Sequence, residues 1–370
     1  MPSTARRIEI ITDPRRFAEV APAWDRLEAI EPTPFSSHGW FDAWWRAFGS
    51  GTLHVVVLWD GDELAGALPL SREGNQLRAL AGVHTPLFRP LAVDHAAMDV
   101  LLGTVCEGVS RLTLEALPVG EPAEQSLARS VRAIGGRVLQ RHAHTSPNVD
   151  TSGSFEAWRE LSRSSWGAPL ERFRRKMIRE HETTIETIVT PVDLEQELHA
   201  GFEVEASGWK GRHGTAILSS PVTTQFYRDV ARLSHARGEL RLSRILLDGA
   251  IAAFDLTLLR QGRLYLLKTG YDERHRRLAP GLVMRLSIIE RCFEAGILAH
   301  DLLGDDAEWK RKFATCDRRH ATLEVYGPSP GLLARYAWRG VVLPPLTALP
   351  RRGVAGARVA ARYIATRGRG

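Results

Sequence analysis

The stretch Arg241–Gly270, which reads RLSRILLDGAIAAFDLTLLRQGRLYLLKTG, contains three apolar runs separated by turn residues. Asp248-Gly249 marks the first turn and Gly262 the second. An Asp-Gly pair supplies the residues with positive φ that a tight hairpin needs. Apolar runs of alternating character on either side of such turns are typical of β-strands. The stretch therefore predicts a three-stranded antiparallel meander.

A second stretch, Leu53–Gly82, has the same punctuation and reads LHVVVLWDGDELAGALPLSREGNQLRALAG. In both copies the glycine of the second turn comes 13 positions after the glycine of the Asp-Gly pair, and a closing glycine follows 8 positions later. Four landmarks in the same order at the same spacing predict that the chain contains two copies of one α/β domain.

The predicted elements follow one order in both halves: helices, then the meander, then helices alternating with single strands. This order predicts an α/β (α+β) fold with tandem domains, each a mainly antiparallel mixed sheet flanked by helices. We expect an N-terminal domain over residues 1–145, a C-terminal domain over 146–328 and a basic tail or helix over 329–370. The stretch Thr145–Ser154, rich in Ser, Pro, Asn, Asp and Gly, is the expected linker.

Composition favours a globular cytoplasmic protein. Of its 370 residues, 44% are hydrophobic and 25% are charged, which is ordinary for a soluble domain. The sequence has no long apolar run, and the N-terminus MPSTARRIEI lacks the apolar core of a signal peptide. Its three cysteines, Cys106, Cys292 and Cys316, have no metal-type spacing, so we expect free thiols in a reducing compartment and no metal site.

The formal net charge of +6 rests on arginine, since only five of the 49 basic residues are lysine. Such an excess of arginine over lysine is attributed to the base composition of the genome, so it carries little weight as evidence for nucleic-acid binding. Two basic stretches remain as candidate contacts with phosphates or an anionic membrane surface, Leu170–His181 and Val341–Gly370. Solvated surface is the competing interpretation of each.

The loop Arg276–Gly281, RRLAPG, lies between the third strand of the second meander and a predicted helix. Backbone N–H groups at a helix N-terminus form an anion site, a glycine lets the anion approach, and the two arginines add charge. The equivalent loop of the first half, Arg89–Asp94, reads RPLAVD and ends in an acid that would repel a phosphate. We therefore expect the second half to bind an anionic ligand and the first half to support it.

A meander followed by a phosphate-binding turn and a helix resembles the GNAT acyltransferase fold, whose loop holds the pyrophosphate of coenzyme A. The loop of this chain has no second glycine, unlike the family pattern. Further stretches resemble the two-domain CelD-like (cellulose-biosynthesis) acetyltransferases, which are related to Fem-type aminoacyltransferases. These stretches are PFSSHGWFDAWWRAFG (34–49), EASGWKGRHGTA (205–216), TGYDER (269–274), PG (280–281) and LGDDAEWK (303–310). The resemblance implies transfer of an acyl group from acyl-CoA to an amine, in an acceptor such as an amino sugar, a polyamine or an envelope or exopolysaccharide precursor.

The resemblance and the pattern of the second half suggest roles for individual residues. Asp255, in the middle of an otherwise apolar strand, is the candidate general base, with His213 and His275 as alternatives. Tyr271 is the candidate acid for the leaving thiolate, and Lys310 lies where the family motif places a lysine; a surface ion pair with Asp305 or Asp306 is its competing interpretation. The expected coenzyme A site comprises Arg276, Arg277, Leu278, Ala279 and Gly281. The expected acceptor site comprises Trp209, Lys210 and Asp305.

Two other functions stay open at this point. A Fem-like transferase that takes its acyl group from aminoacyl-tRNA would use the basic segment Arg172–Arg179 for RNA phosphates. A non-catalytic accessory protein of polysaccharide synthesis would keep the fold and dock at the inner membrane through its tail. The sequence has no GxSxG, HExxH, P-loop or paired CxxC motif, which argues against other common enzyme classes.

Overall fold

A computed structural model describes residues 6–107, 110–162 and 167–342 of the protein. Helices cover both faces of one large mixed sheet. Its strands are β1 (Arg7–Ile11), β2 (Thr52–Asp60), β3 (Glu63–Glu73), β4 (Gln76–Ala79), β5 (Leu91–Ala92), β6 (Arg111–Pro118), β7 (Arg137–Asp150), β8 (Thr183–Ile188), β9 (Leu240–Leu247), β10 (Ala250–Arg260), β11 (Arg263–Tyr271), β12 (Ala299–Asp301) and β13 (Cys316–Tyr326). The α-helices are α1 (Pro14–Glu19), α2 (Ala21–Glu28), α3 (His38–Phe48), α4 (His95–Glu107), α5 (Pro122–Ala133), α6 (Phe155–Ser162), α7 (Ala168–Glu180), α8 (Leu194–Ser207), α9 (Trp209–Arg212), α10 (Pro221–Ala236), α11 (Pro280–Glu294), α12 (Glu308–Arg311) and α13 (Pro330–Ala337).

Both predicted meanders are present, as β2–β3–β4 and β9–β10–β11, and all their pairings are antiparallel. Asp248 and Gly249 have φ values of 51° and 81°, the left-handed conformation of a tight hairpin turn. Each meander then meets a parallel strand, β6 beside β4 and β12 beside β11. The expected fold class, a mainly antiparallel mixed sheet flanked by helices, is confirmed.

The two halves share one continuous sheet, in the order β1-β2-β3-β4-β6-β13-β7-β12-β11-β10-β9-β8. The predicted linker is wrong, because residues 145–150 belong to β7, which pairs with β12 and β13. Ser146, Asn148 and Val149 are buried there, and the Asn148 amide donates to the Ser146 carbonyl at 2.9 Å. Polar turn-forming residues are thus accommodated in a central strand, so the chain has no spacer at this point. The division of the chain near residue 145 remains a proposal.

A core of aromatic side chains joins the halves on one face of the sheet. Phe35 packs edge-on against Tyr265 at 5.3 Å between ring centroids, and Trp40 packs against Phe226 of α10 at the same separation. The opposite face of β9–β11 packs against α7 and α11. Consecutive side chains of β11 therefore point alternately toward the first half and toward α11.

Gly270 of β11 allows α8 to lie directly on the strand. A Cβ atom at this position would be 2.5 Å from the Cα of Glu205, a distance at which the helix would have to move. The absence of a side chain at residue 270 thus brings the Glu205 carboxylate to the end of β11.

The basic stretches differ in their surroundings. In α7, Arg174 pairs with Glu171 and Glu290, and Lys176 lies 3.8 Å from Glu180, whereas Arg172 and Arg175 make no ion pair with the described residues. Residues 343–370, which hold most of the basic tail, lie outside the described residues. Within the part of the chain that the structure describes, no helix has the length and apolar character needed to span a bilayer.

Burial lowers the pKa of five histidines, His38, His54, His84, His300 and His320, which predicts a loss of stability in acid. Burial lowers the pKa of His84 and His300 to about 3 and that of His320 to about 4. The unfolded chain takes up these protons near pH 6.5. At these histidines the unfolded state therefore binds more protons between about pH 4 and pH 6.5, so their contribution to the free energy of unfolding falls as pH falls through this window. Burial raises the pKa of the Glu28 carboxyl to about 7, and this group contributes in the opposite direction. Each pH unit costs about 1.4 kcal/mol per histidine.

Urea unfolding at neutral pH and at about pH 5.5 measures this loss. His84→Phe is the matched variant, because phenylalanine keeps the ring stack on Phe48, at 4.9 Å, and cannot be protonated. We expect a smaller pH-dependent loss in the variant, since one of the histidines whose pKa is lowered by burial is removed. An identical loss in both proteins would contradict this assignment.

Candidate active site

A cleft opens in the sheet where β11 and β12 separate. The two strands pair only from Arg263 to Tyr265, and β11 continues to Tyr271 with its far edge unpaired by β12. A pocket of about 450 Å³ occupies this opening. It is lined by Glu205, Gly208, Trp209, Lys210, Thr269, Gly270, Tyr271, Glu273, Arg276, Ala279, Gly281, Leu282 and Trp309.

The open edge of β11 presents backbone groups to the pocket. The Asp272 N–H bonds to Ala252 on β10, whereas the Thr269 carbonyl accepts from the Lys210 ammonium at 2.7 Å. Since successive residues of an antiparallel strand direct their N–H and C=O groups to opposite sides, the amides of Thr269 and Tyr271 face the open edge. Each of them can donate to a separate acceptor bound beside the strand.

The loop before α11 forms one end of the pocket. Ala279 adopts the left-handed conformation (φ 48°, ψ 48°), and Pro280 then begins the helix. The Leu282 and Val283 amides donate to the Ala279 carbonyl at 3.0 and 3.1 Å. Gly281, which has no side chain, lies in the pocket wall. Together with Arg276 this loop can receive an anion at the positive end of the helix.

The equivalent loop of the first half holds its own carboxylate. Asp94 accepts from the Ala97 amide at 2.6 Å and from Arg6 at 3.1 Å. These contacts lower the pKa of Asp94, which therefore stays charged at the start of α4. The first turn of α4 is thus capped by its own chain, which gives a physical reason for the contrast expected between the two loops.

Two of the residues expected to bind the cofactor do not line the pocket. The Leu278 side chain is buried in the core between the sheet and α11, and Arg277 is exposed outside the pocket. The apolar side chain of Leu278 anchors the loop, so Arg276 rather than its neighbour points into the pocket.

Glu205 and Lys210 lie on the other side of β11, and sequence reasoning missed Glu205. This carboxylate is 3% exposed; one oxygen accepts from the Lys210 ammonium at 2.9 Å and the other accepts from the Ile217 amide at 2.8 Å. Burial lowers the pKa of Lys210, and the negative charge of Glu205 partly offsets this decrease. Trp209 stands half exposed at the rim, as expected for a residue that meets a ligand.

The first half meets the end of β11 beside the pocket, outside its lining. The Lys268 ammonium lies 4.6 Å above the ring of Tyr227, whose hydroxyl is 3.0 Å from the His84 Nδ1 atom. Burial lowers the pKa of Lys268, and no hydrogen bond joins its ammonium to the described residues. His84 belongs to the loop that follows the first meander.

Asp255, expected as the base, is fully buried on the α11 face and does not reach the pocket. Its carboxylate accepts from the Arg285 guanidinium, which also contacts His300. Arg285 is itself 1% exposed, so the two charges compensate one another inside the core. The cost of a carboxylate in an apolar strand, which suggested a catalytic role, is offset by this pair.

Removing this carboxylate is expected to unfold the protein more readily. Asp255→Ala leaves the Arg285 charge uncompensated, which costs about 3–5 kcal/mol of stability. Urea unfolding measures the loss, and Asp306→Ala is the control, because its ion pair with Arg311 is solvent-exposed and contributes little to stability. If the Asp255→Ala protein is as stable as the wild type but inactive, the result would instead support a catalytic role for Asp255.

Lys310 and Asp305 lie behind the pocket. The Lys310 ammonium donates to the Leu303 carbonyl and to the Asp305 carbonyl, the latter at 2.7 Å, and it is 5.7 Å from the ring centroid of Trp309. Burial lowers its pKa to about 8. The Asp305 side chain is 87% exposed and points away from the lysine bond. Lys310 thus fixes the turn that carries Trp309, which does line the pocket.

The remaining predicted residues divide by position. Tyr271 lines the pocket with 37% of its surface exposed, so its hydroxyl is available to a ligand. His213, whose Nδ1 contacts the Trp209 carbonyl at 2.7 Å, and His275 lie outside the lining.

Comparison with known proteins supports a GNAT-type domain in the second half. Residues 168–311 match the family profile described as an acetyltransferase (GNAT) domain, and they contain the whole pocket lining. No curated protein sequence matches the chain.

Solved structures share the fold at low sequence identity. The C-terminal domain of a candidate lysylphosphatidylglycerol synthetase from Agrobacterium fabrum has a TM-score of 0.54 at 14% identity, covering 86% of this chain and 95% of that one. FemX has a TM-score of 0.54 at 11% identity, with 89% and 98% covered. A protein of unknown function from Bacteroides thetaiotaomicron reaches 0.50 at 9% identity, with 86% and 100% covered. The chain thus has the overall fold of these proteins.

Proposed function

We propose that the protein is an N-acyltransferase that transfers an acyl group from acyl-CoA to an amine. The observation that carries this proposal is the path of one pocket, which runs from the loop Arg276–Gly281 past the open edge of β11 to Glu205. An anion site, a pair of backbone donors and a carboxylate are thereby brought to a single cleft.

The loop side suits the donor. The pyrophosphate of coenzyme A would lie against the first turn of α11, beside Gly281 and Arg276. Its amide-containing arm would extend along β11, where the Thr269 and Tyr271 backbone groups can pair with it. The thioester carbonyl would then stand between one of these amides and Glu205.

The α8 side suits the acceptor, because Glu205 can attract an ammonium group and receive its proton. The freed amine attacks the thioester carbon; a C–N bond forms and the C–S bond breaks. One of the two amides, that of Thr269 or that of Tyr271, stabilises the oxygen that becomes negative during the attack. The Tyr271 hydroxyl gives a proton to the departing thiolate and regains one from the nitrogen, which loses its second proton as the amide forms. Glu205 replaces Asp255 as the proposed base, since Asp255 is held by Arg285.

The acceptor class is proposed from the resemblance to CelD-like enzymes: an amino sugar or an amine-bearing envelope or exopolysaccharide precursor, met in the cytoplasm. The indole of Trp209, half exposed at the rim, offers the flat apolar surface on which a sugar ring packs. Thiol release from acetyl-CoA, measured with glucosamine, spermidine and simple alkylamines, tests the proposal. Absence of amine-dependent thiol release with every acceptor and acyl chain length would count against it.

Transfer from aminoacyl-tRNA is the second candidate, favoured by Arg172 and Arg175 of α7, which make no ion pair with the described residues. If this candidate holds, Arg172→Ala with Arg175→Ala weakens tRNA binding, and the affinity of the wild type falls steeply with salt.

Deletion of residues 343–370 tests the accessory role. If the protein docks at a membrane through its tail, the shortened protein folds but is no longer recovered with membranes.

A further inference from the structure

A second cavity, of about 530 Å³, lies between the first half and the beginning of β11. It shares no lining residue with the pocket at Glu205. Tyr265 and Tyr271 are six residues apart on β11, which corresponds to about 20 Å along the strand. Tyr265 and Phe35 pack together at the inner wall, so the second cavity is separate from the candidate active site.

Arginine is the commonest charged residue in the lining of this cavity, which we call the arginine cleft. Its lining includes a single acid, Glu31, whose side chain is 73% exposed at the rim. The four basic residues in the lining are Arg89, Arg260, Arg263 and Arg318.

Three of these guanidinium groups are held in place by acids. Arg89 pairs with Glu31 at 2.9 Å and with Glu121. Arg260 pairs with Glu28 at 2.6 Å and with Glu239. Arg318 pairs with Asp301. Apart from Glu31, these acids lie outside the cleft lining. They therefore fix the orientation of the arginines without filling the cleft.

Arg263 and Tyr265 are the groups left free. Arg263 makes no hydrogen bond or ion pair with the described residues. The Tyr265 side chain is 4% exposed, and its hydroxyl has no hydrogen-bond partner within the described ranges. All four arginines act electrostatically on this hydroxyl, while burial raises its pKa. It therefore stays protonated and can donate into the cleft.

We propose that the arginine cleft binds the phosphate or pyrophosphate group of a small phosphorylated ligand. Guanidinium groups match phosphate oxygens in geometry and charge, and a buried hydroxyl donor adds direction. Burial lowers the pKa of Arg318 to about 10, and the neighbouring charge of Arg263 acts in the same direction. The proposal is independent of the acyl-transfer chemistry, because the two cavities are distinct.

Calorimetric titration of the full-length protein with inorganic pyrophosphate tests this proposal. Arg263→Ala removes a charge that makes no pair in the fold, so we expect a folded protein whose affinity is at least tenfold weaker. Tyr265→Phe removes only the hydroxyl and should weaken binding severalfold. Arg15→Ala, an exposed arginine of α1, is the charge-matched control and should bind as the wild type does.

The loop before α11 can also receive pyrophosphate, so Arg276→Ala is titrated in parallel. Binding that survives Arg276→Ala and is lost in Arg263→Ala supports the cleft. Failure of the wild type to bind pyrophosphate at millimolar concentration, or loss of binding through Arg276→Ala alone, overturns the proposal.

Organic phosphates identify the source of the group. Ile30 and Leu87 provide an apolar wall beside the arginines. If the cleft holds a phosphorylated metabolite, glucose 1-phosphate should therefore bind more tightly than inorganic phosphate. ADP should likewise bind more tightly than pyrophosphate. If the organic phosphates and the inorganic anions bind with equal affinity, and Arg263→Ala weakens the binding of both, the cleft is a site for the free anion.

Discussion

Glu205→Gln is expected to lower kcat for acyl transfer by about 10²–10⁴-fold, the usual contribution of a positioned general base. Glutamine keeps the size of the side chain and an oxygen that can accept from the Ile217 amide, but it cannot take a proton from the attacking ammonium. Steady-state thiol release with a responsive amine gives kcat, and acetyl-CoA titration of the variant verifies that the donor site is intact.

Glu273→Gln is the matched control for this substitution. Glu273 also lines the pocket, but it lies at the rim, where it pairs with Arg212 at 2.8 Å and accepts from the Trp209 amide at 2.9 Å. We expect kcat within a few-fold of the wild type. Full activity in Glu205→Gln would remove this carboxylate from proton transfer and make His213, His275 and Tyr271 the next residues to substitute.

Gly281→Asp is expected to weaken acyl-CoA binding roughly 100-fold. The new carboxylate would stand where the pyrophosphate approaches α11, as Asp94 does at the start of α4 in the first half. Two like charges a few ångström apart at the protein surface repel by roughly 3 kcal/mol, which corresponds to this loss of affinity.

Gly281→Asn separates charge from size. A Cβ atom at this position would lie 3.4 Å from the Tyr271 ring, so both substitutions narrow the pocket to the same extent. The asparagine variant should bind acyl-CoA much more tightly than the aspartate variant, and thermal unfolding should show both near wild-type stability. Equal affinity in the two variants would mean that the loop senses volume rather than charge.

The meanders were predictable because their turns depend on local chemistry. Asp248 and Gly249 adopt the positive φ that an Asp-Gly turn favours, and the apolar runs beside them have the period of a strand. The loop Arg276–Gly281 was predictable for the same reason, since a helix start is marked by adjacent residues.

Side-chain partners distant in sequence were not predictable. Asp255 attracted a catalytic role because its strand is apolar, yet its partner Arg285 comes 30 residues later on another element. Glu205 has no local mark that distinguishes it from the solvent-exposed acids of α8; its burial depends on Gly270 of a distant strand. The polar stretch after His144 resembled a linker because the strands that pair with it, β12 and β13, follow more than 140 residues later.

Titration of the purified protein with acetyl-CoA by isothermal calorimetry tests the central claim most directly. We expect saturable binding with one site per chain, retained in Glu205→Gln and lost at the same concentrations in Gly281→Asp. Absence of heat at millimolar acetyl-CoA, with free CoA and longer acyl-CoA thioesters equally silent, would contradict an acyl-CoA site at this pocket.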